Sequence, residues 1–508
     1  MRTVHQYDIF ELSFTSSDEG PVTGEGIFSK NGKEYRVKGF KDGEGCRLRF
    51  MPCRTGIWNY TIRCGGREEA GSFRCTEAPA GIHGPVRTAG FHFRYDDGAR
   101  YLPFGTTCYA WIHQPEETQE ETLRSLSAAP FNKLRMCVFP KHMPYNYNEP
   151  ENFPFLKKPD GTWDIHKPES RFWQNLERRI AELAERGIEA DLILFHPYDR
   201  WGFAALSTEE CLVYLDYCVA RLGAYRNVWW SLANEYDLLP ARTFADWEQF
   251  GRTLAETDPY HHLVSVHHCF LPCPKADWMT HCSMQTGHVK NALLWRGEYQ
   301  LPVIIDECGY EGNIEFGWGN LSAFELVHRC WSAVCTGAYV THGETFYRED
   351  DVLWWAKGGV LRGESAARIR FLKELLSGLS GELDPLPPPQ WLPNPYERKP
   401  DSAEGADGIS AALSRMSETE RNRWFVELSP TRIGSPDYRL EYLGRACPAF
   451  YDLELPETGR YRLEIIDVWE MTRRVSPEEA SGRMRVTLPA KEGIALLITR
   501  LSGEVLGQ

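Results

Sequence analysis

Eight short apolar runs, alternating with helical segments between residues 90 and 382, constrain this chain more than any other feature. They are YLPFGTTC (101–108), NKLRMCVF (132–139), EADLILFH (189–196), NVWWSLANE (227–235), HLVSVHHC (262–269), WMTHCSMQ (278–285), PVIIDE (302–307) and GAYVTHGE (337–344). Amphipathic helices lie between them. SRFWQNLERRIAELAERG sets Phe172, Leu176, Ile180 and Leu183 on one face and stops near Gly187. Ser207 and Glu210 stand at capping-box spacing ahead of CLVYLDYCVARL. TFADWEQFGRTLAET and AARIRFLKELLSGLSG complete the set. Eight such repeats in about 290 residues predict a (β/α)8 barrel, an α/β fold. An open doubly wound sheet would place a Gly-rich phosphate loop after its first strand, and none follows YLPFGTTC.

Two β-rich regions flank the barrel. Residues 1–80 read as short strands with Gly-rich turns such as KDGEG, and GIWNYTI alternates its side chains across a pleat. TEAPAGIHGPVRTAG (76–90) reads as a linker into a barrel spanning 90–382. A Pro-rich break (383–408) follows, and residues 405–508 return to strand runs: NRWFVELS, YRLEIIDVW, RMRVTLP and GIALLITR. The expected architecture is therefore a TIM barrel between an N-terminal and a C-terminal β-sandwich.

In such barrels the active site forms at the C-terminal ends of the strands. Read in order, those ends offer Arg135 and His142; His196, Asp199, Arg200 and Trp201; Asn234 and Glu235; His267 and His268; His281 and Gln285; Asp306 and Glu307; His342 and Glu344. A strand buried along its length can end in a carboxylate where that end opens into a polar pocket. The fourth and seventh runs do so most cleanly, with Glu235 and Glu307. Three strand positions separate them, so their carboxylates can face each other across the mouth. A facing pair about 5–5.5 Å apart is what retaining glycoside hydrolysis requires. An Asn-Glu pair alone carries little weight, since about one is expected by chance at this length. Two glutamates, each ending a core strand at fitting positions, carry far more.

WWSLANEYD and PVIIDECGYEG resemble the strand-four and strand-seven motifs of the large clan of barrel glycoside hydrolases. The sandwich–barrel–sandwich layout, with RFMPCRTGIWNY in the first region and YVTHGETF at strand eight, is similar to the apiosidase-like glycoside hydrolases. The resemblance covers nearly the whole chain and implies roles. Glu235 would be the general acid and then the general base, its pKa raised by burial near Trp230 and Tyr236. Glu307 would be the ionised nucleophile, and Arg135 its hydrogen-bonding arginine. Asn234 would bind the sugar hydroxyl beside the reacting carbon. His196, His281 and Gln285 are candidate sugar contacts, with His281, Gln285 or His288 in place of the clan's strand-six residue on the nucleophile. Trp111 and Trp201 are candidate sugar-stacking aromatics. Glu344 either binds a sugar hydroxyl or pairs with Arg348. Where the clan often carries a strand-eight Trp, this chain has THGETFYRED, and Trp354 and Trp355 come only later.

The expected substrate is a glycoside or short oligosaccharide of plant or microbial origin, opened from one end, with apiose or another pentose as the terminal residue. MPYNYNEPENFPFLKKPDGTWDIHKPES (143–170), after strand two, is long enough to wall off one end of the groove. It is also a candidate contact between copies of the chain, which makes a homo-oligomer an expected partner. A net charge of -14 argues against nucleic acid or an anionic membrane as partner. No run of 18 apolar residues appears, so no membrane span is expected. The N-terminus, MRTVHQYDIFELSF, lacks an apolar leader, and 15 scattered cysteines suit a reducing compartment, so a bacterial cytoplasm is expected. No cofactor is expected, and no metal: a metal-dependent barrel hydrolase would carry His-x-His on strand one, where FGTTCYAW stands. The remaining alternative is a carbohydrate-binding protein whose barrel has lost catalysis.

Overall fold

The buried runs form eight parallel strands: Phe104–Thr107, Lys133–Cys137, Glu189–Phe195, Val228–Ala233, Val264–Ser265, Cys282–Gln285, Val303–Glu307 and Tyr339–His342. This computed structural model describes residues 1–15, 20–64, 67–386 and 430–506, with scattered positions between 414 and 426. Neighbours in sequence pair in parallel, and the first strand pairs the eighth. A parallel bridge from His267 to Ser283 joins the fifth to the sixth and closes the ring. Strands three and four are buried at every position, as parallel strands covered on both faces must be.

Helices follow the apolar periodicity. Ser170–Glu185 presents Phe172, Leu176, Ile180 and Leu183 to the barrel. Thr208–Leu222 begins at a capping box in which the Ser207 side chain and Glu210 satisfy each other's backbone N–H groups. Phe244–Thr257 and Ser365–Ser377 occupy the other expected segments.

The barrel interior carries a charged layer. Lys133 Nζ donates to Asp191 at 2.8 Å and to Asp306 at 2.7 Å, and Arg135 pairs with the same two carboxylates. Ser283 and Thr341 hydroxyls complete the shell of Asp306. Two cations facing two anions leave the layer neutral, which is how a buried charge is tolerated. Burial works against ionisation of Asp306, but Lys133 and Arg135 hold its carboxyl well below the usual range.

The stretch 76–90 is not only a linker. Val86–Ala89 pairs with His92–Tyr95, which pairs with Arg100–Tyr101. This small sheet plugs the bottom of the barrel, setting Phe93 against Trp229 and Tyr339. Apolar residues separated by turn formers gave no strand signal there; the open barrel end supplied the burial.

The N-terminal flank is a seven-stranded sheet that curls on itself. Its strands run from Arg2–His5 to Arg67–Thr76. Phe10, on the last strand of the sheet order, stacks on Phe73 near the other edge at 4.0 Å, which brings the two edges face to face. Phe28, Phe50 and Trp58 fill the interior. The C-terminal flank has a six-stranded sheet covered by a two-stranded one, Phe450–Glu454 with Arg483–Thr487. Ile433, Leu440, Ile466 and Leu497 merge with the barrel core, while Leu453, Leu463, Val486 and Leu496 fill the sandwich. Of the expected strand runs, YRLEIIDVW, RMRVTLP and GIALLITR are found as Arg460–Asp467, Arg483–Thr487 and Ile494–Ser502. Of NRWFVELS only Trp424 and Val426 are described, and both are helical where a strand was expected; most of the Pro-rich break lies outside the described residues.

Candidate active site

Strand four ends at Ala233, and the chain turns sharply. Glu235 adopts φ 51° and ψ 54°, the left-handed region that a non-glycine residue rarely enters. The turn is over-determined. Tyr236 N–H donates to the His267 carbonyl, and Asp237 accepts the N–H groups of Cys269, Phe270 and Leu271 at 2.7, 2.8 and 2.9 Å. The loops after strands four and five are thus fastened together, and the glutamate is turned out of the strand into the mouth. Tyr198, after strand three, donates its hydroxyl to Glu235 Oε2, and Asn234 Nδ2 donates to the same oxygen at 3.2 Å.

Glu307 closes strand seven. Tyr109, after strand one, donates its hydroxyl to Glu307 Oε1, and the Tyr310 hydroxyl reaches the same carboxylate. His267 Nε2 lies 3.9 Å from Oε1. Burial pulls that imidazole well below its usual range, which leaves it uncharged. Burial and the charge of Glu235 push the Glu307 carboxyl up, while Arg135, Lys141 and the Tyr109 hydroxyl pull it down.

Lys141, from the loop after strand two, sits between the two halves. Its Nζ lies 3.9 Å above the centre of the Tyr109 ring, 4.3 Å above that of Tyr198 and 5.3 Å from that of Trp355. Trp355 packs edge-on against Tyr109 and tilts onto Trp318. The tryptophan absent from strand eight is therefore returned to the site by the segment that follows it.

The other expected site residues divide. Gln285 ends strand six level with Glu307, and its Nε2 approaches Cys269 Sγ at 3.7 Å. Arg135 Nη2 donates to Asn234 Oδ1 at 3.2 Å, so the arginine bonds the asparagine and acts on Glu307 through its charge. Trp201 stands on the rim, its Nε1 on Glu149 and its ring against His142. His196 is buried with Nε2 on the Phe139 carbonyl. His281 lies at the opposite end of the barrel, against Phe93 and Trp229, because it precedes its strand rather than ending it. Trp111 is fully buried beneath Arg179, its Nε1 on Met136.

Glu344 does not pair with Arg348. Its oxygens accept the N–H groups of Arg362 and Gly363 at 2.6 and 2.8 Å, and Arg348 pairs with Asp350 instead. Burial pushes the Glu344 carboxyl up to about 7. Glu311 beside it accepts from Glu364, Ser365 and the Ser365 hydroxyl. Among the described residues, Glu311, His342 and Glu344 form the one group whose ligand atoms, all within 4.8 Å, could hold a cation. Backbone N–H groups already occupy both carboxylates, so the cluster fastens the start of the last barrel helix to the end of strand eight.

Tyr109, Lys141, Tyr198 and Tyr310 escaped the sequence reading, which named Trp355 only as a tryptophan placed too late for strand eight. All four follow strand ends by two to four residues, and that offset is the signal that would have found them.

The catalytic-domain model of the apiosidase-like family matches residues 88–380, and two domains of unknown function match residues 3–65 and 424–499. A candidate glycoside hydrolase from Bacteroides vulgatus, known as a crystal structure, is 36% identical; the match covers 99% of this chain and 100% of that one, with a TM-score of 0.84. A family 5 glycoside hydrolase from the same organism shares the fold at 13% identity and a TM-score of 0.60, over 82% of this chain and 93% of the other. No curated protein matches the chain.

Proposed function

The chain belongs to the apiosidase-like family and is a glycosidase, and from that premise we propose that it cleaves O-glycosidic bonds with retention of configuration. Glu307 attacks the anomeric carbon while Glu235 protonates the leaving oxygen; water, deprotonated by Glu235, then releases the sugar. The observation that carries this reading is geometric: strands four and seven each end in a buried-site glutamate at the barrel mouth, and Lys141 lies against the two tyrosine rings whose hydroxyls hold them. Tyr109 and Tyr198 hold one carboxylate each.

Asn234, Gln285 and Trp201 are the sequence-derived residues left to meet the sugar, with Trp355 as its floor. The loop 143–170 reaches across the mouth, where the Tyr145 hydroxyl bonds Glu315. A groove closed on one side favours removal of a terminal residue, such as a pentose, from a plant or microbial oligosaccharide. We take residues 1–80, 90–382 and 405–508 as the three domains of the chain. A cytoplasmic setting is supported by 15 cysteines without a disulfide, and no described helix is long and apolar enough to cross a membrane.

Screening aryl glycosides and short oligosaccharides, with NMR of the first-formed anomer, tests the reading. The released sugar is expected to keep the substrate's configuration. Glu307→Gln is expected to abolish turnover. Glu235→Gln is expected to lower kcat about 10²–10⁴-fold on poor leaving groups and far less on dinitrophenyl glycosides, which need no protonation. An inverted product, or wild-type turnover in Glu307→Gln, overturns it.

A further inference from the structure

A buried ammonium needs a counter-charge, and Lys141 lacks a direct one. The residue is 4% exposed, and among the described residues no carboxylate oxygen lies within ion-pair distance of its Nζ. The neighbouring Arg135 is different: with Lys133 it is balanced by Asp191 and Asp306 in the layer below. What surrounds Lys141 is a pair of tyrosine rings, and each ring leads to one glutamate. Nζ sits 3.9 Å from the Tyr109 ring centre, whose hydroxyl holds Glu307, and 4.3 Å from that of Tyr198, whose hydroxyl holds Glu235. Cation–π contacts fix the ammonium without neutralising it.

We propose that Lys141 is the fixed counter-ion of the glutamate pair, balancing Glu307 before bond cleavage and Glu235 in the covalent intermediate. The inference rests on the double-displacement reading. In the first step a Glu307 oxygen bonds the anomeric carbon. The bond to the leaving oxygen breaks, its electron pair goes to that oxygen, and the proton of Glu235 follows. Glu307 is then a neutral ester and Glu235 a carboxylate. In the second step a water oxygen bonds the same carbon, its proton passes to Glu235, and the ester bond returns its pair to Glu307. One negative charge moves across the pocket and back, and a fixed cation whose charge acts on both carboxylates offsets it at both stations. The titratable groups facing Lys141 are Tyr109, Arg135, Cys137, His196, Tyr198, Glu235 and Glu307. Burial draws the lysine's own pKa down, while the charges of Glu235 and Glu307 support its protonated form.

The test compares Lys141→Met, which keeps the stem, with Lys141→Arg, which keeps the charge. Carbon-13 NMR of glutamate-labelled full-length protein, assigned with Glu235→Gln and Glu307→Gln, reads the pair's titration without substrate. Lys141→Met is expected to raise the pair's first apparent pKa by about one unit, a tenfold gain in proton affinity, and Lys141→Arg to restore it. On an aryl glycoside that the wild type cleaves, Lys141→Met is expected to lower both the glycosylation and the deglycosylation rate by at least ~10-fold, and to move the acid limb of kcat/KM to higher pH. An unchanged titration, or a change confined to KM, overturns the proposal. Wild-type turnover by Glu307→Gln instead removes the double displacement itself, and the NMR titration of the pair still stands as a separate answer.

Discussion

Glu235 occupies a backbone conformation that costs a non-glycine residue of order 1–3 kcal/mol. Three bonds from the Asp237 carboxylate and one from Tyr236 hold it there. The strain turns a side chain at the end of a buried strand outward into the mouth, where it meets tyrosine hydroxyls instead of water. Those hydroxyls set the chemistry. Tyr109 donates to the charged form of Glu307 and so favours it. Tyr109→Phe removes that donor, and the Glu307 pKa rises. The proposed nucleophile is then protonated over a wider acid range. The acid limb of kcat/KM is expected to move to higher pH, with about a tenfold loss below neutrality; a pH–rate profile on an aryl glycoside checks it. An unmoved acid limb would separate Tyr109 from the ionisation of Glu307. Lys141 and the tyrosines were not legible beforehand because their role depends on rings from different loops meeting around one ammonium.

At the scale of elements, the last barrel helix, Ser365–Ser377, is attached by its start. Glu344 accepts the N–H groups of Arg362 and Gly363 just ahead of the helix, and Glu311 accepts those of Glu364 and Ser365, which an isolated helix would leave unpaired. The carboxylates close on Gly363 so tightly that a Cβ there would stand 2.3 Å from Glu311 Oε2 and 2.7 Å from Glu344 Oε2. Gly363→Ala must push both carboxylates off their donors. A loss of about 1–3 kcal/mol is expected, measured by urea denaturation against wild type. A wild-type midpoint would mean that the anchor is slack. The pattern of helices and strands was readable from periodicity, because an apolar face that must be buried repeats every 3.6 or every 2 residues. The anchor was not: Glu344 stood at a strand end like the two mouth glutamates, and only the path of residues 362–365 separates its role from theirs.

For the whole molecule, the flanking regions are welded to the barrel. Arg49 of the first sheet and Arg221 of the helix Thr208–Leu222 share the Glu177 carboxylate, and Arg221 also reaches Asp42. All four side chains are buried, so removing one leaves uncompensated charge in the junction. Glu177→Ala is expected to cost ~3–5 kcal/mol, read as a lowered denaturation midpoint with the family's barrel chemistry intact at low temperature. A loss under 1 kcal/mol would show the arginines finding other partners. At the far side, Arg368 lies 3.5 Å above the ring of Trp469, and Tyr442 bonds His328. The C-terminal sheet thereby continues the barrel's own core.

The amino-acid sequence by itself determined the ring of eight strands, the flanking β regions and the two glutamates. Each follows from local pattern: burial periodicity, a polar residue ending an apolar run, a cap before a helix. What surrounds those glutamates was decided by closure of the ring. It brought the ends of strands one, two, three, four, seven and eight to one place, sent Trp111 and His281 into packing, and set a single lysine against the two tyrosines that hold the acids. Side chains separated by up to about 250 positions meet there, and contact at that range follows from how the chain closes in space, which local spacing does not encode.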